Sequence, residues 1–356
     1  MLLQALKSET NYDLLDPEVE LELKKQPKKF WEEISKLSPN SLIIVDEIQR
    51  VPVLLDYVQM GIQKHNHRFI LSGSSARKLK RGGANLLGGR ALDLRLHPLT
   101  AEELKDKFSL DWALQVGTMP KIATLVLCQD AWEEARQLLR SYVTTYIKQE
   151  IQAEALVRNV GNFQRFLDVA AQSNAEVIEF ANIARESSVS ASTVKEFYSI
   201  LEDTLLGHFL WPHDRSERKK ARPKFYLFDC GLVRALQLRL QDPPSAPERG
   251  LLFETWMVNE LQRLRDYHRK EHRFSLWRKD LHEVDILVET SRGISLAIEC
   301  KTGKNMGNLA SLKAFKRDFP KVPAIIASMD DDRARQLPDG ITILPWAEAL
   351  QAYLAL

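Results

Sequence analysis

Apolar residues in the first hundred positions fall in short, nearly unbroken runs, separated by longer stretches of helical spacing. Ser41–Val45 (SLIIV) and Arg68–Leu71 (RFIL) read as buried strands. The first ends in Asp46-Glu47 and the second in Ser72-Gly73-Ser74-Ser75. Ala91–Leu96 (ALDLRL) reads as a third strand, and Tyr12–Leu15 is a short apolar run closed by Asp16-Pro17. Glu18–Lys36 and Val53–Lys64 carry the spacing of helices. Apolar runs alternating with helices predict a parallel sheet covered on both faces, with active groups gathered at the carboxyl ends of its strands.

From 101 to 160 the pattern is helical, punctuated by Gly117 and Pro120. Phe180–Arg185 and Ser192–Thr204, joined by the turn SSVSAS, predict a helix-turn-helix with Ser190, Ser192, Thr193 and Lys195 at the start of its second helix. A second α/β unit follows. Its predicted strands are Phe225–Phe228, Arg273–Trp277, Val284–Glu289, Ile294–Glu299, Ala324–Ala327 and Ile341–Leu344. Its helices are Leu251–Arg265 and Asn308–Asp318, and QDPPSAPERG (241–250) reads as a loop. The fold class is therefore α/β, two such units joined by a helical middle.

Composition narrows the picture. The 356 residues suffice for two or three domains, and 50 Lys+Arg against 48 Asp+Glu leave a net charge of +2. That balance argues against a histone-like protein or an acidic disordered chain, while allowing basic patches. One such patch is HDRSERKKARPK (213–224), and LQRLRDYHRKEHRF (261–274) adds another. The 3 cysteines, Cys128, Cys230 and Cys300, lie too far apart for a disulfide framework or a CxxC metal site. A reducing, cytoplasmic location is expected, and no apolar stretch approaches the roughly 18–20 residues of a membrane span.

Two constellations carry chemistry. SLIIVDE has the form of a Walker B strand: Asp46 at the strand end can hold the water shell of Mg²⁺, and Glu47 can orient a water against a γ-phosphate. Ser72 ends the next strand as a polar sensor position, and GGANLLGGRA places Arg90 on a glycine-flanked loop. The competing reading is an acidic pair that merely ends a strand and a solvated arginine. The second constellation is Glu254, Asp285, Glu299 and Lys301. Glu299 and Lys301 are two apart on one strand and share a face, and antiparallel pairing through the turn at Ser291–Gly293 brings Asp285 alongside. Carboxylates with a lysine on one face suit Mg²⁺-assisted phosphodiester hydrolysis, with Asp285 and Glu299 as the metal ligands. Acids that make internal ion pairs are the alternative.

The ordered motifs DLLDPEVE, IIVDEIQRVP, FILSGSSARKL, LLGGRALDLRLHPLTAEEL and MPKI resemble a prokaryotic family of P-loop AAA-type ATPases. FYLFDCGLVRAL, FETWMVNEL and EVDI…AIECK are similar to that family's C-terminal region, and the D-x13-E-x-K spacing resembles the PD-(D/E)xK restriction-endonuclease-like fold. The resemblance implies ATP and Mg²⁺ as cofactors. It makes Asp46 and Glu47 the Walker B pair, Ser72 the sensor, Arg90 the finger, and Pro52 part of the loop after Walker B. It implies an AAA-type core at 1–106, a helical lid at 107–160, a winged-helix-like module at 161–222 and a nuclease-like domain at 223–356. The sequence holds no GxxxxGK[ST] motif; its opening MLLQAL matches the helix that follows the P-loop in that family. The expectation is an N-terminal domain lacking its first strand and P-loop, hence impaired ATP binding. An Mg²⁺-dependent DNA nuclease and a non-enzymatic binding remnant are the other readings. DNA is the expected partner, with a second copy or another protein meeting the winged-helix region, and no membrane. His65 and His67 read as surface residues, His268 and His272 as a basic helix face, and Trp256, Trp277 and Trp346 as packing.

Overall fold

The computed structural model describes residues 3–73, 91–146, 159–213, 222–303 and 309–356. Arg90, the glycine-rich loop before it and 214–221 of the basic run lie outside the described residues. The chain divides into two units, residues 1–93 with 203–205, and 94–202 with 206–356.

In the first unit, β1 (Thr10–Asp13), β2 (Leu42–Asp46) and β3 (Arg68–Leu71) form a parallel sheet with β2 in the middle. The apolar run of β2 is central because both its faces are covered: Ile43, Ile44 and Val45 are fully buried. The helical stretch predicted at 18–36 is two helices, α1 (Pro17–Lys25) and α2 (Pro27–Ile34). Asp16 caps the first, its carboxylate accepting the Glu18 N–H at 2.9 Å. Pro27 interrupts the run because it has no N–H to continue the ladder. Helix α3 (Leu54–His65) returns the chain to β3. His67, expected on the surface, is buried, with Nε2 3.0 Å from the Ile34 carbonyl and its ring stacked on His65.

No strand forms at 91–96. The alternation of Leu92, Leu94 and Leu96 has β character, but these side chains are 82%, 72% and 73% exposed, and the segment has no ladder partner among the described residues. Alternation creates a strand only when another strand satisfies its backbone.

The second unit begins with helices α4 (Ala101–Leu104), α5 (Leu110–Val116), α6 (Pro120–Gln129) and α7 (Trp132–Ser141). Next come α8 (Val160–Gln172), α9 (Phe180–Ser187) and α10 (Ala191–Asp203), followed by the antiparallel pair β4 (Gly207–Leu210) and β5 (Lys224–Leu227). A bridge at Val177 adds to the outer side of β5, so α9 and α10 stand on a small sheet. After α11 (Cys230–Leu236), helix α12 (Ala246–Tyr267) starts five residues before the predicted helix. The proline-rich text read as loop holds its capping box, Ser245 with Glu248, and Pro247 fits the first turn. A six-stranded mixed sheet follows, ordered β10-β11-β9-β8-β7-β6. Its strands are β6 (Arg273–Lys279), β7 (His282–Thr290), β8 (Gly293–Lys301), β9 (Ala324–Ser328), β10 (Arg335–Gln336) and β11 (Thr342–Pro345). Helix α13 (Ala310–Asp318) covers one face and α14 (Trp346–Leu354) closes the chain.

Buried polar groups join the parts of this unit. Asp229 caps α11 by accepting the Gly231 N–H (2.9 Å) and also accepts the Thr118 N–H (2.8 Å). Arg263 on α12 donates to Thr118 Oγ1 and to the Phe228 carbonyl, both at 2.9 Å. Glu260 accepts the Ala101 N–H at 2.6 Å. Gly117 passes beside Asp229 at φ +74°, where a Cβ would lie 1.6 Å from the carboxylate. Gly117→Ala is therefore expected to destabilise this unit by at least about 2 kcal/mol, read as a lower urea midpoint; an unchanged midpoint would refute the close approach.

Candidate functional site

The strand ends of the first unit bring Asp46, Glu47 and Ser72 together. Parallel pairing of β2 with β3 sets the two carboxyl ends side by side, and backbone bonds extend the register past both strands: Ser72 N–H to the Val45 carbonyl and Ile48 N–H to the Ser72 carbonyl, each 3.0 Å. The Ser72 hydroxyl donates to Asp46 Oδ1 and accepts the Glu47 N–H at 3.1 Å. Glu47 sits in the left-handed region (φ 57°, ψ 43°), an uncommon conformation for a side chain other than Asn, Asp or Gly. Its carboxylate accepts from Gln49, a largely buried side chain that packs against Gly73. The donor set is a carboxylate and a hydroxyl at the end of a parallel sheet, hard oxygens that suit Mg²⁺. Gln49 was not singled out from sequence; its position two residues after the acidic pair is the signal that marks it.

In the second unit the four expected residues also meet, with company. Asp285 lies one step beyond the paired Ile286 and Ile298, opposite Glu299, and a bulge between Ser275 and Trp277 adjusts the partner strand. Lys301 Nζ lies 2.8 Å from Glu299 Oε1, as expected for residues two apart on a strand. Glu254 enters from α12. Among them stands Lys224, the first residue of β5. Its Nζ is 2.7 Å from Glu254 Oε1, 2.6 Å from Glu283 Oε1 and 3.7 Å from Asp285 Oδ1. Tyr226, two residues on, donates its hydroxyl to Glu254 Oε1 at 2.6 Å.

Asp285 and Glu299 do sit in one carboxylate cluster, but its acids already hold an ammonium. Among the described residues no group of three or more His, Cys, Asp or Glu is arranged to hold a metal ion. The Mg²⁺ implied by the nuclease resemblance does not fit these residues as they stand. In sequence Lys224 closes the basic run 213–224. The sign of its other role is the text KFYL, a lysine and a tyrosine on alternate positions of an otherwise apolar, buried strand.

Burial sets the electrostatics here. Desolvation raises the Glu299 carboxyl to about 8, with the facing Asp285 charge adding to it and Lys301 opposing. Desolvation and Asp285 likewise raise Glu254 to about 7 against Lys224 and Tyr226. For Lys224 burial works against the charge, but Glu254, Asp285 and Glu283 outweigh it and raise the pKa. Burial also opposes ionisation of Glu283, yet Lys224 and Arg278 hold it below the usual range.

Much of the second basic stretch is engaged internally: Arg263 is buried, Arg265 pairs with Asp266 at 2.7 Å, Lys270 donates to the Leu354 carbonyl and Arg273 pairs with Glu289 at 3.5 Å. The helix ends at Tyr267, so His268 and His272 share no helix face; His268 meets Glu102 at 2.8 Å. Around the helix-turn-helix, Ser192 and Lys195 are exposed at the start of α10, and the Ser190 hydroxyl accepts the Thr193 N–H. Trp256 and Trp277 are buried, and Trp346 packs against Trp256.

Residues 1–105 match the family described as AAA domain. This region is AAA-like. Behind the AAA-like region, residues 108–243 match a domain of unknown function (DUF8612), and residues 249–349 match another (DUF4143). Two uncharacterized proteins, from Mycobacterium bovis and Mycobacterium tuberculosis, are each 24% identical over 234 residues, 63% of this chain and 51% of theirs. The chain thus spans about half the length of the curated relatives it matches. The structure of the Aeropyrum pernix ORC1 protein in complex with DNA aligns over 67% of this chain and 79% of that one, at 11% identity and a TM-score of 0.33. At that score the alignment carries no inference. No helix among the described residues is long and apolar enough to cross a membrane.

An acid whose pKa is raised on folding contributes stability while protonated, and loses that contribution as pH rises through the folded value. For Glu299 the contribution is present below about 4.5 and lost by about pH 8. Glu299→Gln is expected to change stability little at pH 5 and to gain about 1–3 kcal/mol over the parent at pH 9. Thermal unfolding at both pH values decides; an equal difference at each would show that Glu299 is not held protonated.

Proposed function

We propose that the AAA-like region is the working site of this chain and that it handles Mg²⁺-ATP at the ends of β2 and β3. One observation carries the reading: the Ser72 hydroxyl bridges Asp46 and the Glu47 backbone, so the two strand ends form one polar junction. Bound Mg²⁺ would neutralise phosphate charge. Asp46 would hold its water shell. Glu47, turned by its left-handed backbone and held by Gln49, would orient the attacking water. Ser72 would sense the phosphate and pass that contact to Asp46. Arg90 keeps its proposed place as the finger. The sequence contains no GxxxxGK[ST], so nucleotide affinity is measured directly, beside turnover.

The α9–turn–α10 pair followed by the β4–β5 hairpin supports a winged-helix-like module, for which DNA is the proposed partner through Ser192, Thr193 and Lys195. A second copy or a protein partner would use the same face. A nuclease centred on Asp285, Glu299 and Lys301 is the weaker reading, because Lys224 already sits against Asp285 and Lys301 against Glu299.

Mg²⁺-dependent ATP hydrolysis is the test. Glu47→Gln is expected to cut turnover by about 100-fold while leaving nucleotide affinity within about twofold. Asp46→Asn should weaken the Mg²⁺ dependence of binding. Turnover unaffected by Glu47→Gln, or the absence of nucleotide binding, would overturn the reading.

A further inference from the structure

The carboxylate cluster of the second unit is built from four separate elements. Glu254 comes from α12, Glu283 and Asp285 from β7, Glu299 from β8, and the cation from β5. Lys224, only 6% exposed, lies within hydrogen-bond distance of Glu254 and Glu283 and forms a longer ion pair with Asp285 at 3.7 Å. Two further oxygens are engaged: Glu283 Oε2 accepts from Arg278 at 2.8 Å, and Asp285 Oδ2 accepts the Cys300 N–H at 2.9 Å.

Glu299 is the exception. Its side chain is 8% exposed, one oxygen meets Lys301, and Oε2 has no hydrogen-bond partner. A buried carboxylate oxygen without a partner is costly, and its neighbours Asp285 and Glu254 are acids. The result is a cluster of buried carboxylate oxygens whose compensating charge is a lysine.

We propose that Lys224 is a built-in cation occupying the place of a divalent metal among Glu254, Asp285 and Glu299, so that the cluster is closed to metal while β5 is docked. The site is thus a cryptic divalent-cation site whose plug is part of the β4–β5 hairpin. The docking has a backbone counterpart: after β4, Pro212 bridges Leu276 of β6, with Leu276 N–H donating to Trp211 at 3.0 Å and His213 N–H to Leu276 at 2.8 Å. The hairpin is held to the large sheet at its edge by backbone and at its carboxylates by Lys224. Removing the ammonium takes away the cation beside Glu254 and Asp285, and a small hard dication would supply the missing charge and take the spare oxygen of Glu299.

The experiment is Mn²⁺ titration of the full chain, followed by calorimetry and by thermal unfolding. The parent is expected to show no Asp285-dependent Mn²⁺ site at millimolar concentrations. Lys224→Met should acquire one, at least tenfold tighter, with a Tm that rises on adding Mn²⁺. The site should vanish in Lys224→Met/Asp285→Asn and persist in Lys224→Met/Asp46→Asn, which separates it from the nucleotide end. Folding of Lys224→Met only when Mn²⁺ is present would support the proposal equally. Should that variant not fold at all, Lys224→Gln is read in the same way. An Asp285-dependent Mn²⁺ site in the parent, or a folded Lys224 variant that takes up no Mn²⁺, overturns it.

Discussion

Charge buried without water must be compensated, and that constraint organises the second unit. Moving an ammonium and several carboxylates out of water costs several kcal/mol each, returned only where geometry pairs them closely. Lys224, Arg278 and Lys301 are set against Glu254, Glu283, Asp285 and Glu299, drawn from the hairpin, the long helix and three strands of the sheet. Such a network adds little net stability over apolar packing, but it is intolerant of misplacement: losing one partner strands a buried charge at about 3–5 kcal/mol. It therefore acts as a registration device, allowing the hairpin one position on the sheet.

The same principle recurs at the joint between helices. Asp229, Thr118, Arg263 and Glu260 satisfy one another and several backbone groups where segment 97–118 crosses α12. Arg234, almost wholly buried, donates to the carbonyls of Gln115, Arg239 and Asp242 and pairs with Glu248. The text FYLFDCGLVRAL thus serves packing. Asp229 and Arg234 are structural, and the close approach at Gly117 and Gly231 leaves no room for side chains there.

The first unit obeys a different rule. Its sheet is parallel and its apolar strands are legible from their composition, so β2 and β3 fall within a residue of the predicted runs. Because parallel strands end at the same side, Asp46 and Ser72 meet through topology alone. The prediction failed at 91–96, where local alternation indicated a strand without indicating a partner. At 241–250 the Pro- and Ser-rich text has the composition of a loop, yet Ser245 and Pro247 cap and start α12. Proline belongs equally to a loop and to a first helical turn, and single-residue preferences do not separate the two.

What the amino-acid order determined by itself was local: the buried strands, the helix-turn-helix, the acidic pair at the end of β2, and the i, i+2 contact of Glu299 with Lys301. Each depends on periodicity over a few residues, which the chain carries wherever it is placed. Only the tertiary structure decided which charges share a volume. Lys224 and Glu254 are 30 residues apart, and Lys224 lies still farther along the chain from Asp285. In sequence that lysine belongs to a basic run suited to phosphate; in space it is the counter-ion of the carboxylates. The reason is physical: electrostatic partnership depends on distance through a low-dielectric interior, and that distance exists only once β5 has docked against α12 and β7.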